Sequence, residues 1–262
     1  LCKKLIINVV DAMSLVALRE IHSKSFFALK AYLRFIQCFL YEKFILSRYH
    51  NVVVVSDDDR QYLSKITKHK IHVIHNGVDI KEFSISSINK KMKQSMKICF
   101  VANFAGFMNN EALNYLIHNV SPKLHNILGI KTLIVGKNIP EYAKNLKNDY
   151  LELHENVPST AKYIECSDLF ICPVIYGSGI KNSVLQALAL NKPVVCHKKY
   201  MKVHYLTENQ NGYGFKDRSE ILNIAIAFYN SNNNQEIDNK NLIKDNLLWS
   251  SCTKKTLAII DD

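Results

Sequence analysis

Short runs of β-branched and aliphatic residues alternate with segments of helical length along most of this chain. Residues 52–55 are four consecutive valines, and residues 132–135 (TLIV) and 193–196 (PVVC) are mainly apolar runs of the same length. Continuous apolar runs are typical of parallel strands whose two faces are both covered by helices. The alternation therefore predicts an α/β fold in which parallel strands are joined by right-handed helical crossovers.

Two blocks of this alternation are separated by a polar, lysine-rich segment, SISSINKKMKQSMK, which begins at Ser84. The chain starts without a methionine, which suggests that its start is cut off, and we therefore expect the first domain to be partial. The expected organisation is a partial N-terminal Rossmann-like domain at 1–84, a linker at 85–97, a C-terminal Rossmann-like domain at 98–240, and a terminal helix at 241–262 that packs back toward the N-terminal domain.

The charge balance is basic, because 34 lysines and arginines against 23 aspartates and glutamates give a formal net charge of +11. A field of this sign attracts nucleotides, anionic lipid headgroups and nucleic acids alike. The chain has no arginine-rich tract and no repeat of aromatic and basic residues, so we expect no nucleic-acid partner. We do expect a peripheral contact with an anionic membrane surface as one use of this charge.

No apolar run reaches the roughly 18 residues that are needed to cross a bilayer. The seven cysteines are scattered singly, without a Cys-x-x-Cys pair, which indicates reduced thiols. Histidines do not pair at the spacing of metal ligands within one element, so we expect no metal site. Together these features predict a cytoplasmic protein. Any peripheral contact with the membrane is expected at its inner face.

The segment YGSGIKNSVLQALALNKPVV, which begins at Tyr176, carries the clearest chemical signal. Gly177 and Gly179 allow the backbone to approach a ligand closely, and an apolar helix follows at once. The N-terminus of that helix offers N–H groups and a positive dipole end, and Lys181 adds a full charge there. This pattern indicates a diphosphate site, although glycines before a helix are also common turn chemistry.

An ordered set of motifs resembles the family-4 glycosyltransferases, which have the GT-B fold of two Rossmann-like domains. The set runs from about Val9 to Trp249 and comprises VVDAMSLVALRE, VVVVSDDDRQYL, VIHNGVD, ICFVANFAGFMNNEALNYLIHNVSPKL, LIVGK, YIECSDLFICPV and GSGIKNSVLQALALNKPVV. Each motif is weak by itself, and their order along the chain is the specific feature. The resemblance implies a glycosyltransferase that binds a nucleotide-diphosphate sugar mainly through its C-terminal domain, at 98–240. It also implies that the N-terminal domain at 1–84 is the acceptor side and that further strands of that domain precede residue 1.

The resemblance also implies which residues contact the donor. The glycine loop contributes Ser178, Gly179, Ile180 and Lys181 near the sugar and the phosphates. The remaining donor contacts are expected at the strand ends and on the helix after the loop, from Asn103, Gly136, Lys137, Val157 and Gln186. The resemblance does not identify a catalytic residue.

Two positions depart from the family pattern, in which acidic residues stand eight positions apart around the loop. In this chain the two positions are Ser178 and Gln186. A carboxylate that accepts bonds from ribose hydroxyls contributes about 1.5–3 kcal/mol, against about 0.5–1.5 kcal/mol for a neutral amide. We therefore expect the ribose to bind about tenfold more weakly than in relatives that keep the acid.

These observations predict a glycosyltransferase of the retaining type that acts on a cell-surface glycan or a lipid-linked acceptor without a metal ion. The alternative is a nucleotide-binding or scaffold remnant of such an enzyme with impaired catalysis. A third possibility, nucleic-acid binding, predicts a basic face and no nucleotide preference. Asp11 and Arg19 match the first family block, but a role in fixing a strand end and a helix is the interpretation we favour for both.

Overall fold

The computed structural model describes residues 5–22, 28–83, 96–146, 148–177, 179–231, 237–239, 242–243 and 247–261. These residues form two compact units. The first unit contains the described residues within 1–77, 176–181 and 245–262, and the second contains those within 78–175 and 182–244. Residues 85–95 of the expected linker lie outside the described residues. The glycine loop belongs to the first unit.

Nine strands and eleven α-helices are named here, in chain order, within the described ranges. They are β1 (Ile6–Val10), α1 (Met13–His22), α2 (Ala28–Leu46), β2 (Asn51–Val54), α3 (Asp57–Leu63), β3 (Lys70–Val73), β4 (Lys97–Asn103), α4 (Phe107–Tyr115), α5 (Ser121–Leu128), β5 (Lys131–Lys137), α6 (Glu141–Lys144), β6 (Leu151–Glu155), α7 (Ala161–Cys166), β7 (Leu169–Cys172), α8 (Asn182–Ala189), β8 (Val194–His197), α9 (Lys198–Met201), β9 (Gly212–Phe215), α10 (Glu220–Asn230) and α11 (Trp249–Asp261).

The first unit is built on a parallel sheet of order β1-β2-β3. Successive side chains of a strand point to opposite faces, and the valines of β2 therefore serve two separate cores. Val52 and Val54 pack with apolar residues of α1, α2 and α3, whereas Val53 packs with Cys252 and Ile259 of α11. Helices thus cover both faces of this sheet, as the four-valine run predicts.

Buried polar contacts fix the helices of the first unit to the strand ends. Ser56 caps α3 and accepts a hydrogen bond from the Asp59 backbone N–H at 3.2 Å, while its hydroxyl donates to the Asp59 carboxylate. The other carboxylate oxygen of Asp59 accepts from the Ala12 N–H at 3.1 Å. Asp59, which is fully buried, therefore ties α3 to the chain between β1 and α1.

The second unit is built on a six-stranded parallel sheet of order β6-β5-β4-β7-β8-β9. The chain runs outward from β4 through β5 to β6, and then continues on the other side of β4 through β7, β8 and β9. This order is that of the doubly wound fold, in which ligands bind beyond the carboxyl ends of the strands where the direction reverses. The predicted Rossmann-like fold of this part of the chain is confirmed, and the loops after β4 and β7 flank the reversal.

Several elements differ from the sequence-based prediction. β9 and α10 were not predicted, because Gly212 and Gly214 weaken the strand pattern of β9. The helical segment between β4 and β5 consists of α4, a π-helical turn at Leu116–Val120, and α5. The predicted terminal helix at 241–262 is described as α11 from Trp249, and residues 241, 244–246 and 262 of that range lie outside the described residues.

We expect the Asp59→Ala variant to lose about 3 kcal/mol of unfolding free energy, because the buried Ala12 N–H and Ser56 hydroxyl lose their acceptor. Asp57→Ala is the matched control in the same helical turn. The Asp57 carboxylate is half exposed and pairs with Arg60, so its removal should change the unfolding free energy by less than about 1 kcal/mol. Chemical denaturation of both variants measures the difference, and equal losses would contradict the prediction.

Candidate functional site

The glycine loop of the first unit packs against the end of β1. Gly179 has a backbone φ of +73°, which L-residues with a side chain rarely adopt. A Cβ atom built at Gly179 would lie 2.1 Å from Oδ1 of Asp11. Only glycine therefore fits at this position, and the Asp11 carboxyl lies directly against the loop backbone.

Arg19 of α1 holds the same loop through a second contact. Its Nη1 donates to the backbone carbonyl oxygen of Gly177 at 2.7 Å, and its Nη2 donates to Oδ2 of Asp58 at 3.0 Å. The carboxylate of Asp58 orients the guanidinium, which in turn fixes the position of the loop carbonyl. Arg19 is therefore a positioning residue for the loop, in addition to its place in α1.

The charges around Asp11 are unequal in their effect. Burial raises the pKa of the Asp11 carboxyl above its ordinary value, and the nearby Asp59 carboxylate raises it further. The Lys181 ammonium opposes both effects and lowers the pKa of Asp11. A partly buried acid whose pKa is raised by burial and by a neighbouring carboxylate is typical of functional sites.

The structure locates three of the four loop residues that were predicted to bind the donor. Gly179 is buried, whereas Ile180 and Lys181 are partly exposed at the point where the chain enters α8. Ser178 lies outside the described residues. No finding tests the donor-binding role of these residues, which stays a prediction.

In the second unit, the predicted strand-end residues meet at the carboxyl edge of β4 and β5. Asn103 pairs with Lys137 in the register of the two strands. The Asn103 side-chain oxygen accepts hydrogen bonds from the Ala105 N–H at 3.2 Å and from Nδ2 of Asn138 at 2.8 Å. The strand end is thus closed by a small amide network, and the Lys137 side chain is exposed beside it.

Gly136 has a structural reason for being glycine that sequence reasoning did not identify. A Cβ atom built at this position would lie 1.8 Å from the backbone oxygen of Ala102, which is its register partner in β4. The backbone φ of +151° also disfavours a residue with a side chain. The close approach of two strands therefore requires this glycine whether or not a nucleotide lies nearby.

Val157 and Gln186 lie in the second unit at different elements. Val157 follows β6 and is partly exposed. Gln186 lies on α8, and its side-chain oxygen accepts a hydrogen bond from the Thr160 hydroxyl at 3.4 Å. The carbonyl end of the Gln186 amide is thus already engaged by the protein.

Two cationic side chains hold the chain that leaves β7. Nε of Arg218 donates to the Pro173 carbonyl oxygen at 2.7 Å, and Nζ of Lys199 donates to the Ile175 carbonyl oxygen at 2.6 Å. The Arg218 guanidinium also makes a bidentate pair with the Glu111 carboxylate. These contacts were not predicted, because the sequence shows only single charged residues far along the chain from Pro173 and Ile175.

Metal-ligating side chains do not form a cluster of three or more in the ranges that the structure describes. The groups that converge near the glycine loop are instead a carboxylic acid, a lysine and an arginine. They suit recognition of a polar, anionic ligand by charge and hydrogen bonding.

Family comparisons identify two matching regions of the chain. Residues 95–230 match the family described as "Glycosyl transferases group 1", and residues 19–82 match "Glycosyltransferase Family 4". The first match covers just over half of the chain. A relative, an uncharacterized glycosyltransferase of Methanocaldococcus jannaschii, is 24% identical over an alignment of 238 residues that covers 84% of this chain and 60% of the relative.

Two solved structures share the fold. Anabaena HepE in complex with UDP and glucose has a TM-score of 0.73 and 13% identity, and the match covers 98% of this chain and 71% of that one. Sucrose-phosphate synthase of Thermosynechococcus elongatus has a TM-score of 0.76 and 15% identity, over 97% of this chain and 66% of that one. These likenesses confirm the predicted GT-B fold.

We expect Asp11→Asn to raise the melting temperature at neutral pH, because the variant has no charge to bury. A folded-state pKa above the ordinary value near 4 means that the folded chain holds this proton more tightly than the unfolded chain. The resulting penalty on stability appears as the pH rises through that interval, and it is absent at lower pH. The gain of the variant should therefore shrink between pH 7 and pH 4.

Thermal unfolding at both pH values measures this gain. Asp57→Asn, which removes a half-exposed carboxylate, is the control and should show no comparable gain. A lower melting temperature for Asp11→Asn at pH 7, or the same gain at both pH values, would show that burial does not disfavour the Asp11 charge.

Proposed function

Because the chain belongs to the family of glycosyl transferases group 1, we propose that it transfers a sugar from a uridine-diphosphate sugar to a hydroxyl group of an acceptor. The observation that carries this proposal is the glycine loop, where Gly179 packs on Asp11 and Lys181 acts on the same carboxyl. The choice of uridine is supported by the HepE structure, which holds UDP and glucose.

The proposed diphosphate contacts lie in the loop and at the helix that follows it. Lys181 supplies a full positive charge, and α8 begins at the next residue with its backbone N–H groups and its positive dipole end. We propose that Ser178, Gly179 and Ile180 contact the sugar and the phosphates. Asp11, held against Gly179, is proposed to accept or donate a hydrogen bond at the sugar.

The nucleoside contacts are proposed on the second unit. Gly136 and Lys137, at the end of β5, are proposed near the nucleotide, and Asn103 and Val157 at neighbouring strand ends complete the set. Gln186 is proposed to contact the ribose hydroxyls through its amide. The doubly wound order of this sheet supports ligand binding at these strand ends.

The proposed reaction is a substitution at the anomeric carbon. The bond from that carbon to the phosphate oxygen breaks, a bond to the acceptor oxygen forms, and the proton of the acceptor hydroxyl passes to the departing phosphate oxygen. The electron pair leaves with UDP, and Lys181 and the α8 N-terminus stabilise the charge that develops there. Because these groups supply positive charge, we propose that no metal ion is needed, and the family resemblance supports retention of configuration.

The acceptor is proposed to be a cell-surface glycan or a lipid-linked glycan, extended on the cytoplasmic side of the membrane. The net charge of +11 supports this setting, since it favours contact with anionic surfaces. Polysaccharide biosynthesis is the process that such an acceptor implies.

We expect UDP to raise the melting temperature more than GDP, ADP or CMP does. A nucleotide present at 100 times its dissociation constant adds about 2.7 kcal/mol of stability. Lys181→Ala should weaken UDP binding at least about tenfold, because one charge-assisted contact is lost. Calorimetric titration of UDP, repeated with a metal chelator that should change nothing, measures both effects.

Lys123→Ala is the matched control for this titration, because it removes the same charge from an exposed position on α5. It should bind UDP as the unaltered chain does. Equal dissociation constants for Lys181→Ala and the unaltered chain would contradict the proposed diphosphate site. UDP binding without release of UDP from any UDP-sugar would favour the alternative of a nucleotide-binding remnant.

A second prediction concerns Gln186→Glu, which replaces a neutral amide by a carboxylate. Charge-assisted bonds to the ribose should tighten UDP binding by about 1 kcal/mol, or roughly fivefold. Gln210→Glu adds the same charge at an exposed turn and should leave the dissociation constant unchanged. An unchanged or larger constant for Gln186→Glu would show that Gln186 does not face the ribose.

A further inference from the structure

Helix α2 exposes a row of large apolar side chains that we name the outer stripe: Leu29, Leu33, Ile36, Leu40 and Phe44. Leu29 is 74% exposed, and Leu33, Leu40 and Phe44 are each more than half exposed. Spacings of four, three, four and four residues place the five side chains on one face of the helix. A continuous exposed apolar face of this length marks an interaction surface.

The opposite face of α2 is fixed within the first unit. Leu46 is 1% exposed, and Glu42 is 6% exposed. Both Glu42 carboxylate oxygens accept hydrogen bonds from Ser14, one from its N–H at 3.1 Å and one from its hydroxyl. These contacts set the rotation of α2, so the outer stripe points away from the core of its own unit.

The exposed charged residues of α2 and of the turn that follows it all have the same sign. Lys30, Arg34, Lys43 and Arg48 are exposed, and the Arg48 guanidinium lies 3.7 Å from the centre of the Phe44 ring. Glu42 is the single acidic residue of α2, and it is buried. The exposed surface of the helix therefore combines large apolar side chains with positive charge alone.

We propose that the outer stripe is a docking surface for a bilayer that contains anionic phospholipids, with α2 lying in the plane of the interface. Apolar residues flanked by lysine and arginine are the features of helices that bind in this way. Each basic residue near an anionic surface strengthens the binding, and 19 residues at 1.5 Å give a contact about 28 Å long. A span is a different case, because no helix in the described part of the chain is long and apolar enough to cross a membrane.

A second copy of the chain fits this surface less well. Two identical helices packed through their outer stripes would bring the basic residues of both copies together, and like charges repel. A coiled-coil seam would also continue from Leu40 to residue 43, which is a lysine, whereas the stripe continues to Phe44. Charge complementarity therefore favours an anionic bilayer as the occupant.

The biological role of this surface rests on the proposed function, because a lipid-linked acceptor would be presented to the enzyme at such a bilayer. The binding itself does not depend on it. The chain should bind vesicles made of phosphatidylcholine and phosphatidylglycerol, bind far less to phosphatidylcholine alone, and release as salt is raised. Vesicle sedimentation and UDP calorimetry on the same preparation separate the two proposals, because either result can fail without the other.

Two double variants test the two parts of the surface. Leu33→Ser with Leu40→Ser should lower the vesicle partition coefficient at least about tenfold, because two exposed leucines no longer insert. Lys30→Gln with Lys43→Gln should lower it about 20-fold on anionic vesicles and hardly at all on neutral ones. Leu257→Ser, at a leucine of similar exposure on α11, is the matched control and should bind as the unaltered chain does.

Light scattering in solution without lipid completes the test. A dimer that the paired leucine substitutions dissociate, together with no vesicle binding, would assign the outer stripe to a second copy and overturn the proposal. Equal binding to neutral and anionic vesicles would overturn it as well. So would full vesicle binding by the paired leucine variant.

Discussion

Parallel pairing of β4 with β5 on one side and β7 on the other is the constraint on which the second unit depends. Because both neighbours run in the same direction as β4, their carboxyl ends meet at one edge of the sheet, and their following loops leave in opposite directions. The approach of β4 and β5 is close enough that Gly136 has no room for a side chain. The backbone of the sheet, rather than any ligand, therefore determines where the strand-end residues can lie.

The charges of Asp11, Asp59 and Lys181 interact beside the glycine loop, and burial of the Asp11 carboxylate there costs solvation free energy. Burial and Asp59 raise the pKa of Asp11, and Lys181 acts in the opposite direction. The Asp11 carboxyl and the Lys181 ammonium therefore interact electrostatically beside the glycine loop, and burial together with the Asp59 charge outweighs the effect of the lysine on the pKa of Asp11.

Local patterns predicted most of the fold and part of the candidate site. The valine run of β2 and the loop around Lys181 can be recognised from the sequence, because each is defined by the residue types within one short stretch of chain. Arg19 could not be recognised in the same way, since its partner Gly177 lies 158 positions away. The close approach of Gly136 to Ala102 could not be recognised either, because sequence alone does not show which strands are neighbours, and the predicted contact of Gly136 with a nucleotide stays a prediction.

Helix α1 connects the separate parts of the first unit. It begins two residues after Asp11, its Ser14 holds Glu42 of α2, and its Arg19 holds the Gly177 carbonyl. The Ser14–Glu42 pair therefore links the outer stripe of α2 to α1, and the Arg19 side chain of α1 contacts the glycine loop. Because these contacts are hydrogen bonds to charged groups, and the Glu42 pair is buried, they resist displacement better than apolar packing alone. A membrane-bound α2 would thus hold Asp11 and the glycine loop at a defined height above the bilayer, where a lipid-linked acceptor would meet them.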